Sequence, residues 1–369
     1  FNLLQAGSSL LDGNATIAEV HREVAGYAAG IRSDHMRRGV SHAELRVLLG
    51  TDLESPKDRV VIDTLLSTYD SEGEEGGAGR TGIERIAISL NRADPWLGWS
   101  RVKELALGPR GHVLTAIDFC FFEEGYPPKD KAEFFAAVGD FNAEHPDRAL
   151  AILYHVGESF RDKSLESSVR WVQEAAELGA HRLGHAIALG VDPDVFGQHS
   201  RTESVQERRD QIAYDLRHQE GLAAEGVRID PSALEAELAR LSTFSGNPSI
   251  VIDYDRARLD EVRRRQRYAM ACIRSTGAVI EVCPTSNRRI GGIDDPAHHP
   301  VHRFLSSGLP VVVGSDDPGI FDTTLRDEID WVCAHADGGE DLRGTLVETA
   351  WRSRSEILSG RVEASRGAR

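Results

Sequence analysis

Two carboxylates stand side by side in Pro310-Val-Val-Val-Gly-Ser-Asp-Asp-Pro-Gly-Ile-Phe321, directly after an apolar run. Val311 to Val313 read as a short buried strand, and Gly314 and Ser315 break it just before Asp316 and Asp317. Like charges at adjacent positions in a partly dry site repel, so one must be protonated, paired with a cation or bound to metal. The local alternative is that either aspartate caps a helix beginning near Asp322 or shapes a turn before Pro318. Other strand ends weigh against it: His155 is followed by Gly157 and Glu158, His185 follows Gly184, and Glu281 leads into Cys283-Pro-Thr-Ser-Asn287. If those strands are parallel neighbours, two histidines, a glutamate and two aspartates meet on one rim. Imidazole nitrogen mixed with carboxylate oxygen suits Zn²⁺ or a similar divalent ion. His155 and Asp316 are then the metal-ligand candidates, and Glu158 is placed to carry a proton without binding the ion. His185 would fix or deprotonate a water, and Asp317 would accept a hydrogen bond from substrate. Two protein ligands are too few for a catalytic zinc. No His-x-His pair occurs in the chain, and the nearest cluster, His298, His299 and His302, reads as a loop.

The elements that must hold these groups alternate. Strands are predicted at 42–49, 85–90, 113–121, 149–156, 181–187, 278–283 and 311–314, with helical periodicity at 14–38, 59–69, 131–144, 167–178 and 301–307. Gly39 is the expected stop of the first helix. Strands that are apolar almost throughout, separated by helices, make a parallel sheet covered on both faces. The fold class expected is α/β, a TIM (β/α)8-type barrel over 1–369. Seven strands leave it one short of eight, and the missing first strand is expected upstream of Phe1. An open doubly wound sheet is the alternative.

Between His185 and Glu281 lies far more chain than one short loop and one helix require. The span 192–268 is rich in charge and reads as a helical insertion on the active-site face. It is expected to be a solvated excursion or an oligomer contact, with a lid or partner-docking element as the sharper alternative. Residues 71–82 read as a surface loop and 360–369 as a frayed tail. The net charge of −16 argues against a broad nucleic-acid face, though not against a small anion held by local arginines. No apolar run is long enough to span a membrane, and no signal-peptide pattern opens the chain. Cysteines 120, 272, 283 and 333 lack Cys-x-x-Cys spacing, which suits a reducing cytoplasm and buried, inert thiols.

The ordered set His42-Ala-Glu-Leu-Arg46, His155-Val-Gly-Glu158, Arg182-Leu-Gly-His185, Glu281-Val-Cys-Pro-Thr-Ser-Asn287, His299-Pro300 and Ser315-Asp-Asp-Pro318 resembles the adenosine deaminase family of metal-dependent amidohydrolases. Each motif is weak alone, and the order is what makes the set specific. The resemblance implies one zinc per site held by His155 and Asp316, with two further histidine ligands expected upstream of residue 1. It also implies Glu158 protonating the purine at N1, His185 positioning the attacking hydroxide and Asp317 recognising N7. The implied reaction converts the 6-amino group of adenosine, deoxyadenosine or an adenosine nucleotide to an inosine-type product and ammonia. Phe121, in Asp118-Phe-Cys-Phe-Phe-Glu-Glu124, falls where the family usually has a glycine against the base, which bears on substrate preference. The elaborated insertion is similar to that of divergent members attached to antiviral defence systems, so a defence-complex partner or a homo-oligomer contact is expected there. A purine nucleoside or nucleotide is the expected ligand, with neither polymeric nucleic acid nor membrane. The absent ligand pair leaves a second reading, a catalytically silent deaminase-like scaffold.

Overall fold

Runs of β-branched and aliphatic residues set the sheet, because they pack well on a pleated surface buried on both sides. The structure, a computed structural model, describes residues 15–70, 83–337 and 341–363. Nine strands form among them: β1 (His42–Leu48), β2 (Ile83–Ser89), β3 (Leu114–Asp118), β4 (Ala151–Val156), β5 (Arg182–His185), β6 (His199–Ser204), β7 (Ser249–Tyr254), β8 (Val279–Val282) and β9 (Val311–Val313). Seven of them make one all-parallel sheet in the order β1-β2-β3-β4-β5-β8-β9. These are the seven strands predicted from the sequence. The loop read at 71–82, the opening Phe1 and the last six residues of the expected tail lie outside the described residues.

The sheet curls on itself. Arg46 of β1 pairs with Asp118 of β3 and with Glu281 of β8, and Arg182 of β5 reaches Glu44 of β1. Strands far apart in the sheet thus share one interior, as in a barrel. Ala87, Ala116, Ala151 and Leu153 fill its narrow lower part against the one-turn helix Ser355–Leu358. Around the outside run the helices Ile17–Arg38, Pro56–Tyr69, Trp96–Leu107, Ala132–Glu144 and Leu165–Glu177. The first ends at Gly39 with φ +70°, as the sequence implies, and starts in a capping box of Thr16 and Glu19.

Between β5 and β8 the chain departs from the helical pattern read for it. Residues 199–204 are not helix: β6 pairs antiparallel with β7, an alternating polar strand against Ser-Ile-Val-Ile-Asp-Tyr. Ser204 then caps the helix Val205–Arg217, which is followed by Gln219–Ala224 and Pro231–Leu241. Helix Arg256–Thr276 returns along the barrel and packs on Leu165–Glu177, whose residues are buried from Leu165 to Ala176. No helix of the described residues is long and apolar enough to cross a membrane.

Candidate active site

The register of the parallel strands brings their last residues level. His155 pairs with Gly184, Val156 with His185, and Gly184 with Glu281. Active groups of such barrels sit at this carboxyl rim. Glycine at 184 gives the neighbour room: a Cβ there would stand 3.1 Å from the His155 ring.

Below the rim, opposite charges alternate through the interior. Arg182 Nη2 lies 2.5 Å from Glu44 and its Nε 2.7 Å from Glu281. Arg46 Nη2 lies 2.6 Å from Glu281 and its Nε 3.1 Å from Asp118. Asp118 Oδ1 lies 3.0 Å from His155 Nδ1. Burial alone would raise Glu281, but Arg46 and Arg182 overturn it and bring its pKa down to about 2. Asp118, with no exposed surface, is likewise held below the usual carboxylate range against its burial, by His155 and then Arg46. An ionised Asp118 can only accept, so His155 Nδ1 carries the hydrogen, and in the neutral ring the lone pair is on Nε2.

His185 is fixed in a parallel way. Its Nδ1 lies 2.8 Å from Asn287 Oδ1, and its Nε2 stands 3.5 Å from Glu158 Oε1. The two imidazole rings are 5.1 Å apart, centre to centre. Burial pulls the His185 pKa down, yet Glu158, Asp316 and the Asn287 bond push it up to about 9. His185, Ala186 and Asp316 have φ of +63°, +49° and +52°, three of the five non-glycine left-handed residues among those described. Each such residue costs on the order of 1–3 kcal/mol, and this strain gathers at the rim.

His185, Cys283 and Asp316 offer ligand atoms that all lie within 4.8 Å of one another. His155 falls outside that group, one ring away, with an acidic partner behind Nδ1 as metal-binding imidazoles have. Nitrogen, sulfur and oxygen donors together suit zinc, so the residues present fit the ion that the sequence implies. Cys283 is 3% exposed, as expected for an inert thiol, but Cys120, Cys272 and Cys333 are only partly buried. Gly314 leaves the room for Cys283, since a Cβ there would meet Sγ at 3.2 Å.

Asp317 is half-buried at the start of the turn Pro318–Phe321 and makes no side-chain cap there, while Thr324 caps the helix Leu325–His335. The capping alternative for the aspartate pair is therefore not what the structure uses. Phe121 is exposed and packs edge-on to Phe122 with ring centres 4.7 Å apart at the mouth. A cavity of about 420 Å³ opens between helix Pro284–Gly291 and the Pro318–Phe321 turn, lined by Arg288, Arg289, Asp294 and Asp322 among others. The sequence reading gave no role to Asp118, Arg46, Asn287 or Glu123. Asp118 had a signal, a lone acid at the end of an apolar strand, whereas Asn287 and Glu123 act across loops distant in sequence.

Residues 254–348 match the family model described as adenosine deaminase. An aminodeoxyfutalosine deaminase from Acidothermus cellulolyticus is 52% identical over 59 residues, 16% of this chain and 17% of that protein. An adenine deaminase from Rhizobium leguminosarum bv. trifolii is 43% identical over 80 residues, 20% of this chain and 24% of that protein. The matched stretches thus span about a quarter or less of those relatives. Across the fold, the apo structure of an N6-methyl-AMP deaminase from Arabidopsis thaliana superposes with a TM-score of 0.55 at 15% identity, covering 92% of this chain and 77% of that one. A zinc-bound amidohydrolase from Burkholderia ambifaria superposes with a TM-score of 0.53 at 13% identity, covering 91% and 68%. With the motifs in order and the strands as predicted, the segment from 254 to 348 belongs with the adenosine deaminase family, and the rest of the chain is similar to it in fold.

Proposed function

We propose that the protein removes the 6-amino group of an adenine-type substrate by hydrolysis, with zinc as cofactor. One observation carries the reading: two imidazoles face the same mouth beside Glu158 and Asp316, each fixed at Nδ1 by a buried partner, Asp118 or Asn287. His155 Nε2 and Asp316 would hold the ion, with His185 and Cys283 close by. Zinc supplies Lewis acidity for activating water. Glu158 gives its proton to ring N1 as water adds at C6, and it regains a proton from that water. His185, held by Asn287, keeps the oxygen directed at C6 and hands the second proton to the departing amine. The C6 oxygen becomes a carbonyl and the amine leaves as ammonia, so atoms balance. Asp317 accepts a hydrogen bond from the purine, and Phe121 and Phe122 cover its open edge. Arg288 and Arg289 line the adjoining cavity, which favours a substrate with an anionic substituent over a free base.

The test is turnover by the full-length zinc-loaded protein on adenine, adenosine, deoxyadenosine, AMP, N6-methyl-AMP, ATP and aminodeoxyfutalosine, followed by absorbance near the purine maximum and by ammonia release. At least one compound is expected to react, and Glu158→Gln is expected to lower kcat by roughly 10²–10⁴-fold. A parent-like Glu158→Gln protein, or purification without stoichiometric metal and without turnover, would favour the silent scaffold instead.

A further inference from the structure

Two buried charges that the chemistry does not use lie behind the site, and they act on its loops in complementary ways. Arg92, after β2, is 3% exposed and donates to carbonyls: Nε to Phe121 at 2.7 Å and Nη2 to His155 at 2.6 Å, with Phe119 as a further acceptor. Glu123, after β3, is 5% exposed and accepts from amides. Its Oε2 takes the Gly157 N–H and its Oε1 the Ser159 N–H, both at 2.8 Å. Those two amides flank Glu158. One carboxylate therefore grips the backbone on both sides of the residue that carries the proton.

The surroundings leave that turn little freedom. Gly157 has φ +69°, and a Cβ on it would stand 2.7 Å from Val172 Cγ2, so helix Leu165–Glu177 closes the other side. Ser159 Oγ donates to Glu124, and Gly125 N–H donates to Asp162 at 3.0 Å. The loops after β3 and β4 are thus stitched together at four points. A buried carboxylate is an expensive way to satisfy two amides, which water or a neutral side chain would also accept. Burial pushes Glu123 up to about 7, with Lys163 and Arg92 opposing and Glu158 adding to the rise. Lys163, 1% exposed, faces it from the next loop, over the Trp171 ring at 3.9 Å and paired with Asp162.

We propose that Glu123 is a positioning residue, whose two-oxygen hold on the Gly157 and Ser159 amides keeps the Glu158 carboxylate in place against His185. The inference rests on the reading of Glu158 given above. A displacement of about 1 Å in a reacting group is enough to cost about a hundredfold in rate.

The test is Glu123→Gln and Glu123→Asp in the full-length zinc-loaded protein, read by kcat, KM and hydrogen exchange at the Gly157 and Ser159 amides. Glutamine keeps the shape but turns an NH₂ towards one of the amides. It is expected to lower kcat about ten- to a hundredfold, to leave KM within about twofold, and to speed exchange at those two amides only. Aspartate keeps the charge but falls short of spanning both amides, and is expected to recover part of the lost kcat. Parent-like kcat with faster exchange would show that the grip does not place Glu158, and unchanged exchange would show that there is no grip. A rise in KM matching the fall in kcat/KM would assign the residue to substrate binding instead. If the parent turns over no adenine compound, the deaminase reading falls while the exchange result still decides whether the grip exists.

Discussion

The barrel interior and its flank both bury arginines against carboxylates, but the two arrangements end differently. Inside, the alternation from Glu44 through Arg182, Glu281, Arg46 and Asp118 runs up to His155 and stops at an open mouth, where an imidazole nitrogen and an aspartate remain available. Along the flank the groups close on one another. Arg170, with no exposed side-chain surface, sits 3.0 Å from Glu174 and 2.5 Å from Glu207, and Glu207 also accepts from Trp171. Arg265 lies 2.5 Å from Asp215, and Glu166 takes Arg258 and Tyr254. Buried charge by itself therefore does not mark a functional site in this fold. What marks it is a charge network that ends at the carboxyl rim of the strands beside further ligand-type groups, because that end can do chemistry while a closed pair only fixes geometry.

The largest effect expected from this contrast is on stability, and it belongs to the flank. Arg170→Ala leaves Glu174 and Glu207 facing each other without their cation. Removing one partner of a buried pair costs about 3–5 kcal/mol, and about 3 is expected here because both acids are already raised by burial and can take up protons. Denaturant unfolding should show that loss while kcat of the folded fraction stays within twofold. A large fall in kcat at full occupancy of the folded state would mean that the flank and the mouth are coupled, and the contrast would fail.

The next effect is on activity, and it belongs to the interior. Asp118→Asn keeps the shape but removes the charge behind the His155 ring and must turn an NH₂ towards one of two donors, His155 Nδ1 or Arg46 Nε. The imidazole is then less firmly held and less basic, and metal affinity or kcat is expected to fall about 10–100-fold. Metal titration against the parent measures it, with unfolding stability as the companion readout. If affinity is unchanged and only stability drops, Asp118 is another closed pair like those of the flank.

How far these differences can be read from the chain depends on distance in sequence. The seven strands are legible because runs such as 311–313 or 149–153 are apolar without interruption, and the site candidates are legible because each stands at or just past the end of such a run. The β6-β7 ribbon is not, since His-Ser-Arg-Thr-Glu-Ser is as polar as the helices around it and its pairing partner lies more than forty residues on. Helix Leu165–Glu177 shows the same limit. Its Glu166, Arg170 and Glu174 resemble a solvated face until Glu207, Asp215 and Arg265 arrive from other elements to cover it. Asn287 and Glu123 are hidden for a further reason, because their partners are a ring nitrogen and two backbone amides, and backbone groups leave no mark in a sequence.

The smallest effect is the sharpest discriminator, because acid acts on the two regions with opposite sign. In the interior Glu281 falls from 4.5 to about 2. A depressed carboxylate contributes stability that is present above its unfolded pKa and is lost as pH drops through the folded one, so the interior should loosen between about pH 4.5 and 2. On the flank, burial raises Glu174, Glu203 and Glu207 above 4.5, with Glu166 the exception held low by Arg258 and Arg265. A raised carboxylate does the reverse: its contribution is present below the unfolded value and is lost as pH rises through the folded one. Moving from pH 7 towards about 4.5 should therefore tighten the flank while the interior holds, and only below that should the interior weaken. Segment-resolved hydrogen exchange, corrected for the intrinsic pH dependence, reads both at once: protection in 165–177 and 205–217 should rise first, and that in β1, β3 and β8 should fall later. Protection falling together in both regions would mean that the flank acids stay ionised and paired throughout, and that its pairs resemble the interior ones after all.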